Sequence, residues 1–85
     1  MVDNKCILRQ NYSMVKKDKI LIKLGIKIAE YRKAKDLSQE ELGFLIQSAR
    51  NYIGCIERGE KSPSIKTLQK IAKALGVKVK DFIEF

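Results

Sequence analysis

The chain has 85 residues, which is enough for one small domain with a modest core and leaves little room for a buried catalytic cleft. Its 18 basic and 10 acidic residues give a net charge of +8, which favours a polyanionic partner. No apolar run approaches the roughly 20 residues that span a bilayer, and no signal peptide is recognisable, so we expect a cytoplasmic protein without membrane contact.

Apolar residues recur with a helical period from residue 20 onward, whereas the first part of the chain has no clear period. We therefore divide the chain into an N-terminal arm, residues 1–18, and a helical domain, residues 19–85. Five helices are predicted in that domain, at 19–35, 39–46, 49–57, 65–75 and 79–84. Connections of only a few residues join them, which predicts an all-α bundle. Its apolar faces are expected to bury Ile20, Leu24, Ile28, Leu42, Leu45, Ile46, Ile65, Leu68, Ile71 and Leu75.

Helix ends are marked by residues that satisfy free backbone groups. Asp18 can cap the first helix, "SQEE" at 38–41 forms a capping box for the second, and Ser64 can cap the fourth. Gly59 and Gly76 are expected to end the third and fourth helices in the left-handed conformation. Only Gln47 and Ser48, with a residue or so on either side, separate the second helix from the third. So short a connection predicts a helix-turn-helix.

The third helix lies in "SARNYIGCIERG", residues 48–59, and has two contrasting faces. At about 100° per residue, Tyr52, Ile53 and Ile56 point toward a core. The opposite face is polar and carries Arg50, Asn51, Gly54, Cys55 and Arg58. Gly54 either lets the backbone approach a partner or is a tolerated helix defect, and the sequence leaves both interpretations open. The face as a whole is typical of a helix that presses against a ligand.

The segments "LGIKIAEYRKAKDL", "LSQEEL", "YIGCIERG" and "PSIKTLQKIAKALGV" resemble, in this order and spacing, the helix-turn-helix family of the phage Cro and repressor proteins, also called the xenobiotic-response-element (XRE) type. The resemblance implies a five-helix, lambda-repressor-like DNA-binding bundle whose third helix enters the major groove. The sequence also departs from the family pattern. Gly43 replaces the usual alanine, Gln47 replaces the usual turn glycine, and Ala49 replaces the usual serine cap, so Ser48 is expected to cap one residue early.

Each matching position gains a role from this resemblance. Arg50 and Asn51 match base-reading positions, since arginine can fork to guanine and asparagine to adenine. Gly54 and Cys55 complete the predicted base-facing set, Cys55 through packing. For Arg50 and Asn51 the alternative is an ordinary solvated face. Phosphate contacts are expected from Ser38, Gln39, Tyr52, Arg58, Lys61, Ser62 and Lys66. For Ser38 and Gln39 the alternative is capping alone, and for Tyr52 it is mainly core packing.

The remaining residues concern packing and association. In the family, the positions of Arg32 and Glu57 form a buried ion pair that ties the first helix to the third. The C-terminal tail is unusually apolar, and part of it is expected to meet a symmetry mate in a homodimer; its residues are Val77, Val79, Phe82, Ile83 and Phe85. A second apolar stripe on the first helix, at Ile22, Ile26 and Ala29, is expected to be covered by Ile7, Leu8 and Met14 of the arm.

An enzyme is disfavoured because the chain has no histidine to serve as general base and no glycine-rich phosphate loop. Two cysteines without histidine do not make a zinc site, and no cofactor or small-molecule ligand is evident. The resemblance to the XRE-type family thus implies a sequence-specific DNA-binding transcriptional regulator, a repressor or a restriction–modification controller, that binds a pseudo-palindromic operator as a homodimer. The alternatives are a protein-binding module on the same fold, such as an antitoxin or a bridging coactivator, and a nonspecific nucleic-acid binder.

Overall fold

The computed structural model describes residues 18–84, and this part of the chain forms five α-helices and no strand. All five predicted helices are present, and every boundary lies within one residue of its expected position. None of the five is long and apolar enough to cross a membrane. The arm residues Ile7, Leu8 and Met14, and Phe85 of the tail, lie outside the described residues. The helices are α1 (Lys19–Ala34), α2 (Gln39–Leu45), α3 (Arg50–Glu57), α4 (Ile65–Leu75) and α5 (Val79–Ile83).

Side-chain caps start three of these helices where the sequence predicts them. Asp18 Oδ1 accepts the Ile20 N–H at 2.9 Å, and Ser64 Oγ accepts the Thr67 N–H at 3.1 Å. At α2 the capping box is complete, because Ser38 Oγ accepts the Glu41 N–H at 2.9 Å while a Glu41 carboxylate oxygen accepts the Ser38 N–H at 2.8 Å. Each cap of this kind stabilises a helix by about 1 kcal/mol.

The turn between α2 and α3 keeps its tight geometry despite the unusual residues. Gln47 adopts the left-handed conformation, with φ of 58°, that a glycine would adopt more easily. The Ser48 N–H then donates to Gly43 O at 2.8 Å and closes the end of α2. A Cβ at Gly43 would lie 2.7 Å from Ser48 O, so the absence of a side chain at Gly43 lets the turn pass this close to α2.

One cap prediction is wrong. Ala49, not Ser48, is the N-cap residue of α3, and no side chain caps this helix end. Ser48 belongs instead to the turn, because its backbone N–H is committed to the last turn of α2. The first amides of α3 are therefore left without a side-chain cap.

The core is one apolar cluster in which residues of every helix take part, and Phe82 of α5 packs edge-on against Tyr31 of α1 with ring centroids 5.7 Å apart. Three residues expected in this core are exposed. Leu45 is 53% exposed because Leu42 and Ile46 already occupy the buried stripe of the short α2. Ile20 and Ile65, 61% and 66% exposed, lie in the first turns of α1 and α4, which the neighbouring helices do not cover.

Gly25 sets how closely α1 approaches α3. A Cβ at this position would lie 2.5 Å from both Ile56 O and Glu57 O, which are backbone atoms and cannot swing away. The absence of a side chain at Gly25 therefore brings α1 against the C-terminal end of α3. This close approach also places Arg32, two turns further along α1, within reach of Glu57.

We expect Gly25→Ala to lower the free energy of unfolding by about 1–3 kcal/mol, the usual cost of overpacking. Gly54→Ala is the matched control, because a Cβ there would meet only the ends of the Arg58 and Gln39 side chains, and the small shift required of the Arg58 guanidinium is offset by about 1 kcal/mol of helix propensity. Urea denaturation of both variants measures the difference. A Gly25→Ala protein as stable as the parent chain would contradict the close contact.

Candidate nucleic-acid interface

Helix α3 is anchored by its apolar side and presents its first turn to solvent. Ile53 and Ile56 are buried in the core, and Tyr52 packs against it as a half-buried residue. Arg50 and Asn51 are exposed, and neither side chain makes a hydrogen bond or ion pair with another described residue. The two predicted base-reading side chains are thus available for a ligand.

Gly54 and Arg58 form a unit on this face. A Cβ at Gly54 would lie 3.0 Å from Arg58 Nη1 and 3.5 Å from Gln39 Oε1, so the Arg58 guanidinium rests over the glycine. Glu60 holds the guanidinium there, with Arg58 Nε donating to Glu60 Oε2 at 3.0 Å. Gly54 is consequently buried, which corrects the prediction that it faces bases directly. Its small size makes room for the arginine.

Cys55 is also misplaced by the sequence prediction. It is fully buried, so its sulfur cannot pack against bases in this conformation. Cys55 Sγ accepts a weak hydrogen bond from Arg58 Nη2 at 3.8 Å. Of the predicted base-facing set, Arg50 and Asn51 are thus the residues that are exposed on α3.

The predicted pairing of Arg32 with Glu57 is present and bidentate. Arg32 Nε lies 2.7 Å from Glu57 Oε2, and Arg32 Nη2 lies 3.0 Å from Oε1. The two side chains are only 10% and 7% exposed. Arg32 Nη1 also donates to Leu37 O at 2.8 Å, which fastens the chain between α1 and α2. One guanidinium thus connects α1, the entry to α2, and α3.

Gln39 joins this network, which the sequence did not reveal. Its Nε2 donates to Glu57 Oε1 at 2.9 Å, so the half-buried amide turns toward the ion pair instead of standing free at the helix end. Neither interpretation made from the sequence, a phosphate clamp or capping alone, includes this contact. No pattern in the sequence marks this contact, because Gln39 and Glu57 are 18 positions apart. The bond fixes the start of α2 against the end of α3.

The other predicted phosphate contacts lie at the surface. Ser38 is exposed while it caps α2, and Arg58 remains half-exposed beside Glu60. Lys61, Ser62 and Lys66 are exposed in the loop after α3 and the first turn of α4, and none of these three side chains makes a hydrogen bond or ion pair with another residue in 18–84. Lys61 and Lys66 therefore add exposed positive charge in the loop and the helix that follow α3.

The predicted dimer residues divide between core and surface. Phe82 is fully buried against its own bundle, so its assignment to an interface is wrong: its ring completes the core beside Tyr31. Val77 and Val79 are half-buried against the same core. Ile83 is 50% exposed and is the described tail residue with a large accessible apolar surface.

Several known proteins are similar to this chain in sequence and in fold. The helix-turn-helix family matches residues 28–82. Control protein C.BamHI of Bacillus amyloliquefaciens is 42% identical over 67 residues, 78% of this chain and 83% of the relative. The restriction-modification controller protein C.AhdI from Aeromonas hydrophila has a TM-score of 0.71 at 40% identity, covering 73% of this chain and 94% of that one.

The structure of SinR, the master regulator for biofilm formation, in complex with DNA has a TM-score of 0.69 at 35% identity, and the match covers 72% of this chain and 98% of that one. The family match at residues 28–82 includes α2, the turn, α3 and α4. The chain belongs to the XRE-type helix-turn-helix family of DNA-binding transcriptional regulators.

Proposed function

We propose that this regulator binds a pseudo-palindromic operator as a homodimer and inserts α3 into the major groove. The observation that carries the proposal is the exposure of Arg50 and Asn51 in the first turn of α3, where neither side chain is paired with another described residue. An arginine can donate two bonds to the O6 and N7 of guanine, and an asparagine can pair with the N6 and N7 of adenine.

Phosphate contacts would hold α3 in register. Lys61, Ser62 and Lys66 are exposed cationic or hydroxyl groups that follow α3 in the chain, and the exposed Ser38 hydroxyl lies at the start of α2. Arg58 would exchange its Glu60 partner for a phosphate oxygen. Gln39 can keep its bond to Glu57 and still donate its second amide hydrogen outward, because a side-chain amide nitrogen carries two. Such contacts position the protein without reading sequence.

The control-protein names of the relatives C.BamHI and C.AhdI support a controller role in a restriction–modification system, and repression is the alternative regulatory outcome. Two-fold symmetry is inferred from the exposed Ile83 at the end of α5, beside the half-buried Val77 and Val79. A two-fold interface brings the same patch from both copies together, so even a small apolar surface is used twice. Such a dimer would match a palindrome with half-sites about 34 Å apart.

Selection of bound fragments from random duplex DNA tests the operator. We expect enrichment of a two-fold motif with half-site centres about 10 base pairs apart. Bound fragments without any shared motif would favour a nonspecific nucleic-acid binder. Failure to retain DNA at all would favour a protein-binding module.

Sedimentation tests the dimer in the same preparation. We expect a dimer at tens of micromolar chain concentration, with Ile83→Glu shifted to monomer because the substitution would bury an unpaired charge in the interface. Ile65→Glu is the control, since Ile65 is a comparably accessible isoleucine on a different helix. Monomeric parent protein, or equal dissociation by both variants, would contradict the proposed interface.

A further inference from the structure

The loop that follows α3 returns an acidic side chain to the end of that helix. The Gly59 N–H donates to Ile56 O at 3.0 Å. The Glu60 N–H donates to Cys55 O at 2.9 Å. Gly59 has φ of 77°, so the two bonds form the usual left-handed end of a helix. They fix the backbone of Glu60, and its carboxylate is thereby held beside Arg58.

Arg58 and Glu60 form a bidentate pair. Arg58 Nε donates to Glu60 Oε2 at 3.0 Å, and Arg58 Nη2 donates to Glu60 Oε1 at 3.3 Å. The Arg58 side chain is 54% exposed, whereas that of Glu60 is 17% exposed. Arg58 Nη1 lies over Gly54 and makes no hydrogen bond with another residue in 18–84. A ligand can therefore reach the guanidinium, but a carboxylate already neutralises its charge.

Folding does not account for this pair. Its members are two positions apart, so it connects no two helices, in contrast to the pair of Arg32 with Glu57. An ion pair as accessible as this one contributes little to stability. Residues 50–66 contain two acidic residues, and one of them, Glu57, is committed to the buried pair. Glu60 is thus the acidic residue of this segment that pairs with a predicted DNA contact.

A carboxylate in this position competes with DNA. A phosphate oxygen that replaced Glu60 would accept from the same N–H groups of Arg58. The exchange would break the ion pair and leave an unpaired carboxylate near the phosphates, whose like charge repels it. Both costs are subtracted from what the phosphate contact contributes to binding. Because a phosphate contact carries no sequence information, they apply to any DNA.

We propose that Glu60 is an affinity-setting residue, which competes with the DNA backbone for Arg58. The inference rests on the DNA-binding mode proposed above, in which Arg58 contacts a phosphate. Glu60 weakens binding to the operator and to other DNA by a similar factor. It therefore sets the protein concentration at which DNA is occupied, and it leaves base discrimination to Arg50 and Asn51.

Glu60→Gln tests the proposal, because glutamine keeps the size of the side chain and removes its charge. The full chain is titrated against the selected operator and against scrambled DNA. We expect the variant to bind both roughly two- to fivefold more tightly, the range that corresponds to a weak exposed ion pair. Glu30→Gln is the matched control: Glu30 is exposed on α1 and makes no ion pair within residues 18–84, so the same change of charge should alter affinity less.

A double-variant cycle separates competition for Arg58 from simple repulsion of DNA by Glu60. In a chain that already carries Arg58→Ala, adding Glu60→Gln should raise affinity clearly less than it does in the parent. An equal gain in both backgrounds would overturn the proposal, because Glu60 would then act without Arg58. Unchanged affinity in the single variant Glu60→Gln would overturn it as well. The backbone bonds of Glu60 do not involve its side chain, so Glu60→Gln should unfold at the same urea concentration as the parent.

The parent chain in the same titration tests the proposed function separately. Equal affinity of the parent for operator and scrambled DNA would contradict sequence reading by α3, and the comparison of Glu60→Gln with the parent would still decide the role of Glu60 on either DNA. A parent chain that bound neither DNA would overturn both proposals.

Discussion

Replacing Arg32 by alanine is expected to lower the free energy of unfolding by about 3–5 kcal/mol, the cost typical of removing one member of a buried ion pair. The substitution removes the bidentate bond to Glu57 and the bond to Leu37 O together. Glu57 would keep only the Gln39 amide as a described side-chain hydrogen-bond partner for a carboxylate that is 7% exposed. An anion left in this position is poorly compensated, which is why the loss exceeds that of one ordinary hydrogen bond.

Lys33→Ala is the control for charge and for helix propensity. Lys33 is the next residue in α1, is exposed, and makes no ion pair with another residue in 18–84, so its replacement should change stability by less than about 0.5 kcal/mol. Urea denaturation of the three proteins under one buffer measures both changes. Comparable destabilisation by Arg32→Ala and Lys33→Ala would show that the buried pair does not stabilise the bundle.

A double variant separates the cost of an uncompensated buried charge from the cost of the lost hydrogen bonds. Replacing both partners by apolar residues, as in Arg32→Met with Glu57→Leu, removes the uncompensated charge and should recover much of the stability that Arg32→Ala removes. The Leu37 carbonyl and the Gln39 amide would still be without their partners. We therefore expect partial recovery, and the shortfall measures how much those two bonds contribute.

The helices and their ends could be predicted from the sequence because the signals are local. Capping by Asp18, Ser38 and Ser64 requires only groups two or three positions apart, and the left-handed stops at Gly59 and Gly76 depend on a single residue. The tertiary pair of Arg32 with Glu57 was accessible only through the family resemblance. Nothing in the local pattern brings residues 25 positions apart together.

The positions that the sequence misplaced lie at the borders of helix faces. Cys55 lies between the polar and apolar sides of α3, and Arg58 contributes to covering it. Phe82 belongs to an apolar tail. Which residues of that tail are buried cannot be predicted without knowing that Tyr31 packs against Phe82. Periodicity gives the direction of a side chain from its helix axis, but burial depends on which neighbour stands in that direction.

Replacing Arg50 by alanine is expected to weaken binding to the selected operator by about 1–3 kcal/mol per half-site, the discrimination that a bidentate arginine–guanine contact supplies. The effect should be confined to one base position in each half-site, where selection with the variant would recover several bases instead of one. Asn51→Ala should relax a neighbouring position in the same way. Affinity for scrambled DNA should fall far less, because a base contact adds nothing there.

Lys61→Ala is the matched comparison, since it also removes one exposed positive charge near α3. A phosphate contact carries no sequence information, so this variant should bind operator and scrambled DNA more weakly by the same factor. Each phosphate contact that the substitution removes should also reduce the slope of log affinity against log salt by about 1, or about 2 for a dimer. Titration of each variant against both DNAs at several salt concentrations gives the two quantities. If Arg50→Ala lowers both affinities equally, as Lys61→Ala is expected to do, then Arg50 contacts the backbone and α3 does not read the operator through it.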